Sequence, residues 1–122
     1  MSSILQPQIL IFKADAAIAK GKAVKTGAGG DDYIQVCSAA TDKSIGITQN
    51  AGAAAGDMIE VAVYGGASAL VGGTVAVGDL LTSDSSGLLV ATTSANDKII
   101  AKAMAGGVVN DIVSTIIVHG NY

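Results

Sequence analysis

Glycine, aspartate, asparagine and serine interrupt this chain so often that no long regular element fits between them. Helices need sustained 3.6-residue periodicity, whereas short β-branched runs bounded by such residues are the pattern of strands and turns. Two runs, residues 58–64 and 112–118, are the most strand-like. Similar runs occupy residues 8–13, 22–26, 33–38, 44–48, 67–71, 79–82, 88–91 and 98–104. Turn signals separate them at residues 27–32, 39–42, 51–56, 83–87 and 94–97. Only residues 14–20, Ala-rich and closed by Gly21, suggest a helix, of one or two turns at most. The expected fold is all-β: a small barrel or sandwich of short antiparallel strands.

The two halves of the chain resemble each other. Residues 18–24 match 75–81, residues 41–47 match 96–102, and residues 56–61 match 110–115, in the same order and at nearly the same offset. This predicts half-repeats at 16–71 and 74–120 within one domain spanning 14–122, preceded by an arm or first strand at 1–13. That opening segment is unusually apolar for a terminus. Ile4, Leu5, Ile9, Leu10, Ile11 and Phe12 surround Pro7, which restricts any pairing there to an edge or splits it in two. Two readings stand side by side: a first strand of the barrel, or an extended arm that adds to a partner's sheet.

Composition constrains the partners. Half the residues are hydrophobic, yet aromatics are confined to Phe12, Tyr33, Tyr64 and Tyr122, so the core rests on many small contacts. Charged residues make up 14%, about half the usual share, which calls for part of the surface to be covered by other copies or another protein. The net charge is −3 and every cation is a lysine. Without arginine forks or a lysine cluster, nucleic-acid binding is not expected. The uncharged run at residues 61–78 is broken by paired glycines and polar residues, so no membrane span is expected. No secretory signal is legible in residues 1–12.

Catalytic chemistry finds little to use. His119 is the single histidine and stands near the C-terminal end, while Cys37 is the single cysteine, in a strand-like run. Neither has a partner in sequence that would make it a base, nucleophile or ligand. Aspartates at 31, 32, 42, 57, 79, 84, 97 and 111 fall at turns, where the side chain bonds nearby backbone. Asp31, Asp32 and Asp84 offer oxygens for calcium, but the spacing of a calcium loop is missing. The glycines at 27, 29 and 30 lack the Gly-Lys-Ser/Thr of a phosphate cradle. No catalytic residue, metal or cofactor is therefore expected.

One ordered series of motifs carries a resemblance. Ala-x-Ile-x-x-Gly-x-Ala-Val spans residues 16–24, and Ala-Thr-Asp-Lys-x-Ile-Gly-Ile spans 40–47. Ala-Ala-Gly-Asp-x-Ile-Glu-Val-Ala-Val-x-Gly follows at 54–65, and Val-x-x-Gly-Asp-Leu-Leu-Thr-Ser-Asp-x-x-Gly at 75–87. In this order the chain resembles the capsid decoration, or cement, proteins of tailed bacteriophages, over roughly residues 16–118. The resemblance implies a structural virion protein on the outer surface of the mature capsid, made in the bacterial host cytoplasm. It also implies the major capsid protein as partner, a homo-oligomer with a trimer favoured, and an N-terminal arm that pairs with the capsid protein. By position and apolarity that arm is Ile4, Leu5, Pro7, Ile9, Leu10, Ile11 and Phe12.

Three other functions fit less well. A tail or spike accessory domain would share the virion setting. A biotinyl- or lipoyl-like carrier would share the flattened barrel, but Lys43 and Lys98 lack the sequence context of an acceptor lysine. A sugar-binding barrel would need aromatic platforms that this chain lacks.

Overall fold

The computed structural model of the chain describes residues 8–52 and 54–121. They form ten strands and, among the described residues, no helix. β1 (Gln8–Ala14), β2 (Ala23–Thr26), β3 (Tyr33–Val36), β4 (Gly46–Thr48) and β5 (Met58–Tyr64) close into a barrel in the order β1-β3-β2-β4-β5. β6 (Gly66–Leu70), β7 (Leu80–Ser83), β8 (Leu89–Ala91), β9 (Lys98–Ala103) and β10 (Ile112–Asn121) form a second sheet, ordered β6-β10-β9-β7-β8. Every strand-like run of the sequence becomes a strand, because each is flanked by residues that leave extended geometry cheaply.

If each half is counted from its own first strand, both sheets have the same neighbours. Each reads third, second, fourth, fifth, first, and the barrel adds a closing pair between first and third. That closure is parallel, with Lys13 opposite Tyr33 and Ala14 opposite Ile34. The second sheet has a single parallel bridge at the corresponding place, Val71 to Leu89. Antiparallel bridges also correspond, Ile18 with Gly52 and Val75 with Gly107. Gly21 N donates to Thr48 O at 2.8 Å, just as Gly78 N donates to Ala103 O at 2.8 Å.

Two apolar clusters hold the halves. Ala14, Ile18, Val24, Ile34, Ile59 and Val61, all from the first half, pack with Phe12, Val36, Ile45 and Val63. The larger cluster joins both halves: Ala23, Cys37, Ile47 and Ala62 meet Leu81, Leu89, Ile100, Val113 and Ile117, among others. Alternation in a strand sends neighbours to opposite faces, so Val61 serves the first cluster and Ala62 the second. The same split separates Val24 from Ala23. These walls of the barrel are buried on both sides and therefore read as unbroken apolar sequence. Backbone bonds seal the junction, from Ala23 N to Gly87 O at 2.8 Å, Leu70 N to Gly21 O at 3.0 Å and Lys98 N to Ala40 O at 2.8 Å. The buried hydroxyls are also paired: Thr48 Oγ1 donates to Ala19 O at 2.8 Å, and Thr115 Oγ1 to Ala67 O at 3.0 Å.

Two expectations need correction. Residues 14–20 form no helix: the chain bends at Asp15 and Ala16, and Ile18 and Gly52 exchange both backbone bonds at 2.9 Å, so tertiary pairing overrides the helical bias of alanine. The strands are also not all antiparallel, since closing the barrel brings β1 and β3 together in the same direction.

Candidate functional site

The residues expected to form an N-terminal arm divide. Ile4, Leu5 and Pro7 lie outside the described residues. Ile9, Leu10, Ile11 and Phe12 lie in β1, paired antiparallel with β5 from Lys13 opposite Met58 to Gln8 opposite Tyr64. Phe12 packs on the first cluster and Ile9 on the larger one, while Leu10 and Ile11 are about half exposed. Lys13 N donates to Asp32 O, so it points away from β5. Two residues earlier, the N–H of Ile11 faces the same way, toward an edge where β1 has no ladder partner among the described residues.

A second apolar group was hidden in the sequence. Val77, Met104, Val108, Val109 and Ile112 are exposed large side chains at one end of the second half. The fold gathers them: Gly78 bonds Ala103, Val75 bridges Gly107, and Met104 N donates to Ser114 O at 2.8 Å. The available signal was Val108-Val109 inside a turn, where side chains have no interior to enter.

That turn is one of three built alike. Asp57 Oδ2 accepts Ala54 N at 3.0 Å, Asp79 Oδ2 accepts Ala76 N at 2.9 Å, and Asp111 Oδ2 accepts Val108 N at 3.0 Å. The residue before each aspartate, Gly56, Gly78 or Asn110, has φ between 72° and 91°, as a tight turn of this kind requires. Asp84 instead reaches forward, accepting Ser86 N at 2.8 Å and Leu88 N at 3.0 Å. These carboxylates thus act as turn locks. Among the described residues no three His, Cys, Asp or Glu gather where a metal would fit.

The groups with reactive potential are similarly committed. Cys37 is fully buried, and burial, with Asp42 nearby, pushes its thiol up to about 12. Asp42 itself is held below the usual carboxylate range by the Lys25 ammonium at 2.8 Å, with Ser38 N and Ala39 N also donating to it. His119 is exposed and far from Cys37 in role: its Nε2–H donates to Val63 O at 3.1 Å, since a carbonyl only accepts. Val63 is the residue of β5 skipped in the register with β1, so the histidine satisfies a bulge carbonyl. A shallow cleft beside it is lined by Lys43, Lys98 and Asn121, and Lys98 Nζ donates to Asn121 Oδ1 at 2.8 Å. Lys98 begins β9, away from any hairpin tip of the kind a carrier lysine occupies.

No curated protein matches the sequence. The fold is similar to that of the head fiber gp8.5 N base of bacteriophage phi29, with a TM-score of 0.71 at 18% identity, covering 96% of this chain and 98% of that one. The sequence model of the phage cement proteins matches residues 6–115. That match spans nearly the whole chain, and the chain belongs to the phage cement protein family.

Proposed function

We propose that this protein binds the outer surface of a mature phage capsid and stabilises it by bridging subunits of the major capsid protein, without catalysing a reaction. The observation that carries the reading is the exposed pair Leu10 and Ile11 on β1, a few residues after Ile4, Leu5 and Pro7 in the sequence. Exposed side chains of this size in an under-charged chain gain free energy when a partner covers them. A protein that binds only the mature lattice stabilises it by mass action, and repetition by symmetry multiplies weak contacts into avidity. In this reading the protein resides on the virion after synthesis in the host cytoplasm. It needs no cofactor, and neither nucleic acid nor membrane is a partner.

Titration of purified precursor and expanded shells with the protein tests this. Saturable binding to expanded shells, with a raised temperature of genome release, is the expected result. Failure to bind either shell refutes it. Removal of residues 2–7 leaves β1 whole, and is expected to weaken shell binding while the melting temperature stays near that of the full chain. Removal of residues 2–12 would instead take away a barrel strand.

A further inference from the structure

The turns that lead into β4 and β9 bring two lysines to one cleft. Residues 41–47 correspond to 96–102 in the repeat, so Lys43 and Lys98 hold the same position in the two halves, each directly after a turn aspartate. Lys98 N donates to Ala40 O at 2.8 Å, and Thr82 Oγ1 donates to the same oxygen at 3.0 Å, which holds one turn against the other. β10 supplies the remaining wall. Its register with β9 slips by one residue between Ile117 and Gly120, and this bulge sets His119 at the cleft. The imidazole is fixed there by its bond to Val63 O at 3.1 Å and stands edge-on to Tyr64, the ring centroids 6.5 Å apart. The cleft between these elements is shallow, about 340 Å³, and its polar lining is Lys43, Ser44, Lys98, His119 and Asn121.

The carboxylates nearest these lysines in sequence serve other partners. Asp42 accepts from Lys25 Nζ at 2.8 Å and from Ser38 N and Ala39 N, and Asp97 accepts from Thr92 Oγ1 at 2.5 Å. Among the described residues no ion pair reaches Lys43 or Lys98. Lys98 Nζ donates to a neutral oxygen, Asn121 Oδ1, at 2.8 Å. An ammonium has three donors, so each lysine keeps at least two for a ligand. Two like charges in one cleft oppose each other, and an anion between them relieves that repulsion. In a chain of net charge −3, a cleft lined by two cations and no carboxylate selects for negative groups.

We infer that this cleft binds an acidic peptide segment of a partner protein, with one or two of its carboxylates held between Lys43 Nζ and Lys98 Nζ. Charge complementarity selects the occupant. The volume lies at the small end of ligand clefts, about 300–1,000 Å³, and suits a side chain or two. A nucleic acid fits less well, because the net charge of −3 repels a polyanion and the chain has no arginine to fork onto phosphate. The inference does not depend on capsid binding, since Leu10 and Ile11 play no part in it.

NMR shifts of the full-length protein, followed during titration with the peptide acetyl-Glu-Glu-Glu-Glu-amide at low salt, test this. Saturable shifts centred on Lys43, Ser44, Lys98 and His119 are expected, and none from the corresponding glutamine peptide. Lys43→Gln and Lys98→Gln should each weaken binding about three- to fivefold while melting with the parent. Lys20→Gln makes the same change of net charge outside the cleft lining and should leave binding unaltered. Absence of saturation, shifts spread over the whole surface, or equal weakening by Lys20→Gln would overturn the inference. Tighter binding of inorganic phosphate or a DNA oligonucleotide than of the peptide would do so too, and would assign the cleft to phosphate groups. So would peptide binding that begins only once Tyr122 is removed, because the chain's own last residue would then hold the cleft.

Discussion

Gly46→Ala should be among the most damaging single-methyl changes available to this protein. A Cβ at this β4 position would lie 2.2 Å from Ala62 O and 2.8 Å from Val61 Cγ1. Non-bonded atoms settle at roughly 3.5 Å, so β4 must withdraw from β5 by about 1 Å. Ile47 opposite Ala62 and Thr48 opposite Val61 would then lose their ladder geometry. Two weakened bonds at about 1 kcal/mol each, with over-packing of about 1–3 kcal/mol, give about 3–5 kcal/mol. For a chain of this length that is a fall in Tm of roughly 10–20 °C. Two other glycines separate the possible causes. Gly56 has φ +88° and no atom within 4 Å of a Cβ, so Gly56→Ala isolates backbone strain, about 1 kcal/mol. Gly120 has neither constraint, and Gly120→Ala should stay within about 0.5 kcal/mol of the parent. Calorimetric melting of the three variants gives the ranking. If Gly46→Ala melts with Gly56→Ala, the close approach of β4 to β5 does not limit stability and the reasoning fails.

Thr48→Val removes a buried hydroxyl that donates to Ala19 O and accepts Lys22 N at 3.0 Å, and should cost about 2 kcal/mol by denaturant titration. Cys37 should resist thiol reagents in the native protein near neutral pH and react at the rate of unfolding. Its raised folded-state pKa also predicts that stability declines as pH climbs from 9 toward 12, where only the unfolded chain ionises, and Cys37→Ala should flatten that decline. Asp42 has the opposite sign: its lowered pKa stabilises the fold above pH 3.8, and the contribution fades as acid protonates the folded carboxyl. Asp42→Asn should therefore lose stability at neutral pH and show a shallower acid dependence, by a small amount because the pair with Lys25 is partly exposed.

Sequence patterns disclosed the strands but not their partners. Gly56-Asp57 and Gly78-Asp79 mark strand starts because a tight turn needs a residue tolerant of positive φ beside an acceptor, and both requirements are local. The parallel meeting of β1 with β3 is not local, since it exists only once the barrel closes. Residues 14–20 misled for the same reason: alanine favours a helix, and the competing bonds come from Gly52, more than thirty residues away. The apolar N-terminal segment was legible as important, whereas the split of Ile9 and Phe12 toward the core from Leu10 and Ile11 toward solvent depends on register. Val77, Val108 and Val109 look like core residues in any sequence. Only their position in turns, outside the two clusters, reveals them as surface.

The double-sided walls of the barrel have a consequence for how the molecule comes apart. Opening either half alone would strip Ala23, Ile47 and Ala62 of their cover, so the free energy of sub-global opening should lie close to that of complete unfolding. Native-state hydrogen exchange in the two sheets would then converge on one value. A protease would find its footholds at the turn tips, with neither half available as a separable fragment.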